Sequence, residues 1–295
     1  MATSQNTAPF CRRRNTNSRF ILGLFLFLSF SFLASFPILA EPIEIADPSP
    51  SVFGNTFQLD LKTDSLLLSG GLSLIGGSYL IDHFMLEEIS TVDANTLDIH
   101  DVNWFDRWAM QPYDQTMDKV SDVLDGISLL LPGLLMLSPE TGFFTVGVMY
   151  TEAIVLSYGL KEVGKTLLHR TRPYMYFDLF PEDKVADGDW NRSFPSGHTT
   201  MAFTSAAFTS YVFSSYFPDS KWKTPVILGS FAIATATAVL RVTSGNHFPT
   251  DVLGGAVIGT LSGFLVPYLH RTRPTNKLLA SMNLIPNGLS FTFRV

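Results

Sequence analysis

An all-α fold is predicted: a helical bundle of about six core helices, most of them crossing a membrane. Three observations carry that expectation. Apolar runs of helical length occur at residues 66–81, 127–138, 142–160, 199–217, 225–240 and 252–269. Charged residues make up only 16% of the 295, against roughly 25% in soluble domains. Such a chain has much surface that is buried or faces lipid. Between the runs lie polar connections in which Gly, Pro, His and Arg collect, so polar chemistry sits at helix ends.

Taken in order, residues 1–40 open with Arg12, Arg13, Arg14 and Arg19, then an apolar run from Phe20 to Leu39, and Ala40 before Glu41. This reads as a bacterial-style secretory signal or as an uncleaved anchor, and either starts residue 41 onward outside the cytoplasm. Residues 41–100 form a lead-in. Its Pro- and Asp-rich stretch ends near residue 64, and its run 66–81, with four glycines, reads as a re-entrant or interfacial helix rather than a span. The polar piece 93–126 carries Trp104, Trp108 and Tyr113, rings suited to a membrane–water boundary. Residues 101–275 form the main bundle. The run 127–138 is short and holds Pro132, so it spans only if Val123 and Leu124 join it, together with a buried Asp125. The four later runs approach the roughly 20 residues that a helical span needs. Their Thr, Ser and Gly suit close helix packing. The tail, 276–295, alternates like a short strand around Asn287-Gly288. A helical periplasmic domain with apolar core helices is the soluble alternative.

The formal charge is −6. Residues 1–40 hold four of the 20 basic residues and none of the 26 acidic ones, which leaves the remainder at −10. No basic arm remains for a nucleic-acid backbone. The single cysteine, Cys11, excludes an intrachain disulfide. Lys221 and Lys223 in one loop, and Arg271, Arg273 and Lys277 after the last run, mark one side as cytoplasmic. The turns 161–198 and 241–251 then face outward, a parity that requires 66–81 not to cross.

Chemistry gathers in those outward turns. In "KTLLHRTRP", Lys165 and Arg172 lie seven apart, two helical turns, and share a face if the helix continues that far. Two clustered cations suit an anion. In "RSFPSGH", Ser196 caps a helix that begins near His198, and Gly197 allows close backbone approach. Free N–H groups and the positive dipole end make such a helix start an anion cradle. In "RVTSGNHFPTD", His247 and Asp251 are four apart around Pro249, a residue suited to a helix's first turn. Asp251 can hold one imidazole nitrogen and leave the other free to attack. Arg241 adds a third cation. His83, His100, His169 and His270 are scattered, so no metal site is expected and no cofactor either.

Taken together, Lys165-x6-Arg172-Pro173, Pro195-Ser196-Gly197-His198 and Arg241-x5-His247-x3-Asp251 resemble the three-part signature of the type 2 phosphatidate phosphatase superfamily. That superfamily includes class A acid phosphatases and vanadium haloperoxidases. The likeness covers about residues 101–270 and is greatest to membrane-associated bacterial lipid phosphate phosphatases. One position departs from it: Leu240 stands where the third motif usually has serine, so a hydroxyl contact to phosphate is expected to be missing.

The resemblance implies a metal-independent phosphatase, acting on a phosphate monoester or diphosphate, most often on a membrane lipid. It implies His247 as nucleophile, Asp251 as its holder, and His198 as proton donor and then base. Lys165, Arg172, Ser196, Gly197 and Arg241 are implied to bind phosphate. The expected partners are a lipid phosphate and the membrane, with no nucleic acid, and the expected location is a bacterial inner membrane with the site facing the periplasm. Three alternatives stay open: a soluble secreted acid phosphatase, a vanadate-dependent haloperoxidase, and a non-catalytic phospholipid-binding or transport module.

Overall fold

A computed structural model describes residues 56–84, 97–178, 180–272, 281–285 and 288–292. The signal or anchor expected at 1–40 lies outside these residues. Six long helices account for most of the described chain: α1 (Leu61–Phe84), α2 (Gln115–Leu135), α3 (Phe143–Leu168), α4 (Gly197–Tyr216), α5 (Lys223–Thr243) and α6 (Pro249–Leu269). Their starts carry side chains that take up otherwise orphaned N–H groups. Asp60 accepts from Thr63 N at 3.0 Å, Asp114 from Met117 N at 2.9 Å, and Ser196 caps α4. Beyond the bundle the tail holds the strand structure that its alternation predicted. Strands β1 (Ser281–Ile285) and β2 (Gly288–Thr292) pair antiparallel, with Ser281 opposite Thr292 and Ile285 opposite Gly288.

The six helices alternate in direction. At one end, Asp64 at the start of α1 meets His270 just after α6, and Gln58 N donates to the His270 carbonyl at 2.9 Å. At the other end, Asp82 near the close of α1 pairs with Arg192 just before α4. The ends of α3 and α5 and the starts of α2, α4 and α6 share that second end.

The run 66–81, expected as a re-entrant or interfacial helix, lies within helix α1. That helix is continuous for 24 residues and packs along α3. Its glycines do not break it, and one of them, Gly71, is a packing position against Val155 and Leu156 of α3. A Cβ on Gly159 of α3 would fall 2.8 Å from the Gly71 carbonyl oxygen. By length and composition, α1, α5, α6 and the stretch Phe143–Tyr176 containing α3 are the described helices long and apolar enough to cross a membrane. If α1 crosses, the residues before it share a side with Arg271. An outward start at residue 41 and an outward face for turns 161–198 then exclude each other.

Helix α4, expected among the spans, is the central helix of the bundle. It packs against α2, α3, α5 and α6 and buries 11 of its 20 residues, mostly Thr, Ser and Ala. The Thr200, Thr204 and Ser205 hydroxyls bond back to the helix, as Thr204 Oγ1 does to Thr200 O at 2.7 Å, which lets polar residues sit inside. Helix α2 has the same inside-out character. It buries Asp118, Ser121, Asp125 and Ser128 and exposes Val120, Val123, Ile127, Leu130 and Leu134. The run 127–138 does therefore join Val123 and Leu124, with Asp125 buried. Leu253, Val257, Leu261 and Phe264 form a similar exposed stripe on α6. An apolar exterior over a polar interior suits a bundle in lipid. Trp104 and Trp108 stand exposed at one end and Trp222 at the other. Tyr113, expected beside them, instead turns inward and donates to Asp118 Oδ2 at 2.8 Å.

Helices α4 and α6 approach most closely. Gly255, Gly259 and Gly263 lie four apart on one face of α6, and a Cβ on Gly259 would meet the Thr200 carbonyl oxygen at 2.3 Å. Backbone leaves nothing to move aside, so a Gly259→Leu protein is expected to lose the bundle. Thermal melts in detergent should then show no cooperative transition at the wild-type temperature. A wild-type melt would contradict this packing.

Candidate functional site

The end of the bundle shared by the starts of α2, α4 and α6 holds a cavity of about 480 Å3. Lys165, Arg172, Gly197, His198, Arg241 and His247 all line it, although they come from α3, α4, α5 and two connecting segments. All six reach it from a helix end or connection, which is how residues so far apart in sequence converge. Ser196 and Asp251 do not line the cavity; both are fully buried behind it. Ser196 Oγ accepts from Thr199 Oγ1 at 2.9 Å and serves as the α4 cap.

Lys165 and Arg172 meet for a different reason than helical spacing. Helix α3 stops at Leu168, and His169 caps it in the left-handed region at φ 39°. The chain then turns, and Arg172 is extended at the start of a 3-10 turn over Pro173–Tyr176. Its guanidinium is clamped from three directions. It donates to Asp189 Oδ1 at 2.6 Å, to Asp189 O at 2.8 Å and to Asn246 O at 3.0 Å. Burial works to raise the Asp189 carboxyl, but Arg172 and Lys165 outweigh it and hold the group below its ordinary range.

The clamp also fixes the imidazole. Arg172 Nη1 lies 3.2 Å from His247 Nε2. A guanidinium has donors only, so Nε2 is an acceptor, its lone pair directed at Arg172 on the cavity wall. The proton therefore sits on Nδ1, which faces Asp251 Oδ2 at 3.6 Å. That separation exceeds a hydrogen bond, so Asp251 acts on the ring as a nearby charge. Burial, reinforced by Arg172, Arg241 and Lys165, pushes the His247 pKa well below its ordinary value of 6.5. The ring is neutral at neutral pH, as an attacking nitrogen must be.

Asp251 is itself held. Its Oδ2 accepts from Ser193 Oγ at 2.5 Å and from Phe248 N at 2.8 Å, closing the start of α6. Its Oδ1 accepts from Arg170 at 2.5 Å. Arg170 also donates to Thr250 Oγ1 and to Asp106 Oδ2, both at 2.6 Å, and lies over the Phe248 ring at 4.1 Å. Asp106 in turn accepts from Thr250 N at 2.9 Å. Sequence reasoning missed this bracket of Arg170, Asp106 and Ser193. Arg170 was quoted inside the first motif, but nothing in its spacing ties it to Asp106, 64 residues away.

A carboxylate wall was missed as well. Asp118, Asp122 and Asp125 of α2 line the cavity together with the cations. Asp118 binds Arg241 Nη1 and Lys184 Nζ, and Asp122 Oδ1 lies 2.9 Å from His198 Nε2. Their spacing, with Ser121 and Ser128 on the same face of an otherwise apolar helix, was the available signal. The lining totals five lysines and arginines against four aspartates. Two cationic groups keep capacity for a further anion. Lys165 has no ion-pair partner among the described residues, and Arg241 Nε is buried without an acceptor. Leu240 points into a shallow groove on the outer face of α5, so the substitution noted at that position does not reach the cavity.

The chain matches the family model described as the PAP2 superfamily over residues 147–275. It is 29% identical over 151 residues to the lipid A 1-phosphatase of Porphyromonas gingivalis, covering 48% of this chain and 29% of that one. It is 27% identical over 133 residues to the undecaprenyl-diphosphatase of Sulfolobus acidocaldarius, covering 45% and 59%. To phosphatidylglycerophosphatase B of Bacillus subtilis it is 30% identical over 177 residues, covering 54% and 83%. The chain thus spans less than two thirds of the length of the first two relatives.

Proposed function

The chain belongs to the PAP2 superfamily, and from that premise we propose that it is a phosphatase. Its substrate is a phosphate monoester or diphosphate carried by a membrane lipid, hydrolysed through a phosphohistidine. One observation carries the reading: the unprotonated Nε2 of His247 faces a cavity ringed by Lys165, Arg172 and Arg241.

In the first step His247 Nε2 attacks phosphorus and the bond to the leaving oxygen breaks; His198, which takes up a proton when the phosphate anion binds and holds it beside Asp122, gives that proton to the leaving oxygen. In the second, His198 takes a proton from water as the hydroxide oxygen attacks phosphorus. The N–P bond then breaks, and Nε2 regains its lone pair. Lys165, Arg172, Arg241 and the Gly197 N–H at the α4 start oppose the charge on the equatorial oxygens. Ser196 contributes by fixing that helix start, and Asp251 by stabilising the charged ring. Asp122 orients His198. Phosphoryl transfer depends mainly on positioning and charge, which three cations supply.

A lipid substrate is favoured over a soluble one by the apolar exterior around the site end and by the lipid-phosphate relatives. An inner-membrane setting with the site outward is favoured by Lys221, Lys223 and Arg271, which lie at the end opposite the cavity. The test is phosphate release by detergent-purified protein from phosphatidate, phosphatidylglycerophosphate, undecaprenyl diphosphate, a lipid A phosphate and soluble esters. Lipid substrates should turn over fastest, in EDTA as well as without it, and vanadate should block the reaction. Loss of all turnover in EDTA, or preference for soluble esters, would contradict the proposal.

A further inference from the structure

At the end of the bundle away from the cavity, three helices bring together a buried cluster that the reaction does not use. Asp64 comes from the first turn of α1, Glu152 from the middle of α3, and His270 from the end of α6. One ligand atom from each lies within 4.8 Å of the other two. His270, read as incidental from sequence, is its centre. Its Nε2 stands 2.7 Å from Asp64 Oδ1 and 3.4 Å from Glu152 Oε2. The side chains of Glu152 and His270 are fully buried.

Two further facts point to a ligand. His270 Nδ1 lies 2.9 Å from the Val266 carbonyl oxygen. A carbonyl only accepts, so the proton is on Nδ1 and a neutral ring would turn the Nε2 lone pair toward two carboxylates. An imidazole held by its other nitrogen in this way is the usual arrangement of a metal-bound histidine. Neither oxygen of Glu152 has a hydrogen-bond donor among the described residues. No lysine or arginine pairs with Asp64 or Glu152 among those residues either. Two carboxylates in an apolar surround of Leu67, Val146, Met149 and Val266 are costly without a positive charge. A proton on Nε2 balances one of them; a divalent cation balances both.

We propose that Asp64, Glu152 and His270 bind one divalent metal ion that fastens α1 to α3 and α6. A nitrogen and two carboxylate oxygens suit zinc, with a fourth position open to water on the Asp64 side, the least buried of the three. Zinc ligands at about 2.0–2.1 Å need edges of roughly 3.3 Å, so Asp64 and His270 would part by a few tenths of an ångström. The role is structural and separate from phosphate release.

The experiment uses full-length protein in detergent, stripped with EDTA and then given zinc alone, with metal content by mass spectrometry and stability by thermal melting. About one zinc should bind per wild-type chain and raise the melting temperature by several degrees. Cobalt in its place should give visible absorption bands in the wild type. Asp64→Asn and Glu152→Gln proteins should lose the metal, the shift and the bands while still releasing phosphate. Asp64 sits near the surface, so that variant reports even if Glu152→Gln fails to fold. The proposal is overturned if wild type binds no more zinc than Asp64→Asn, or if bound zinc leaves its melting temperature unchanged. Phosphate release is assayed on the same samples, so a failed metal site and a failed phosphatase reading are told apart.

Discussion

Phosphate release by a His247→Ala protein falls by about 10^4-fold or more, the scale on which loss of a nucleophile is felt in enzymes of this kind. The fold survives the change. Arg172 loses one acceptor but keeps Asp189 and the Asn246 carbonyl, and Asp251 keeps Arg170, Ser193 and the Phe248 N–H. The buried ring leaves a void, so a lower melting temperature accompanies the loss, with the transition still cooperative. Turnover and melting curves on the same preparation separate the two effects. Wild-type turnover from the alanine protein would remove His247 from the reaction.

Arg170→Ala is expected to damage the fold more than any other single change at the site. Arg170 bridges the carboxylates of Asp106 and Asp251, both fully buried. Without it two charges stay inside with no cation, a situation that costs about 3–5 kcal/mol in proteins. The start of α6 then loosens, and with it the placement of His247. A double-mutant cycle with Asp106→Asn checks the source, because removing one stranded charge should recover part of the loss. Additive losses would mean that the bridge is not what holds the helix start.

Much of this architecture was legible because lipid-facing helices write their length into composition. The runs 225–240 and 252–269 became α5 and α6 with ends within three residues, and 142–160 became α3, which runs eight residues further to Leu168. The three polar motifs were legible because each lies at a helix end and is local in sequence. What escaped was non-local or inverted. Four glycines in α1 resembled a break, yet Gly71 is a contact surface for Gly159, visible only once α3 is alongside. Helical spacing was invoked for Lys165 and Arg172, but a left-handed cap at His169 ends the helix between them. Arg170, Asp106 and Ser193 act on Asp251 across 58 to 145 residues, and no spacing rule reaches so far. Tyr113 resembled an interfacial ring because its partner, Asp118, was hidden in a segment read as merely polar. His270 looked solitary because Asp64 and Glu152 lie on other helices.

The central claim is that phosphorus passes through His247. The direct measurement is a rapid quench of protein mixed with a lipid substrate labelled with 32P in the departing phosphate. A His198→Ala protein, slowed in the water-attack step, is quenched alongside the wild type. Label should appear on protein as an acid-labile, base-stable adduct that maps to His247. It should be enriched in the His198→Ala protein if its first step still proceeds, and absent from His247→Ala. Label on another residue, or wild-type turnover with no labelled protein at any time point, would contradict the account.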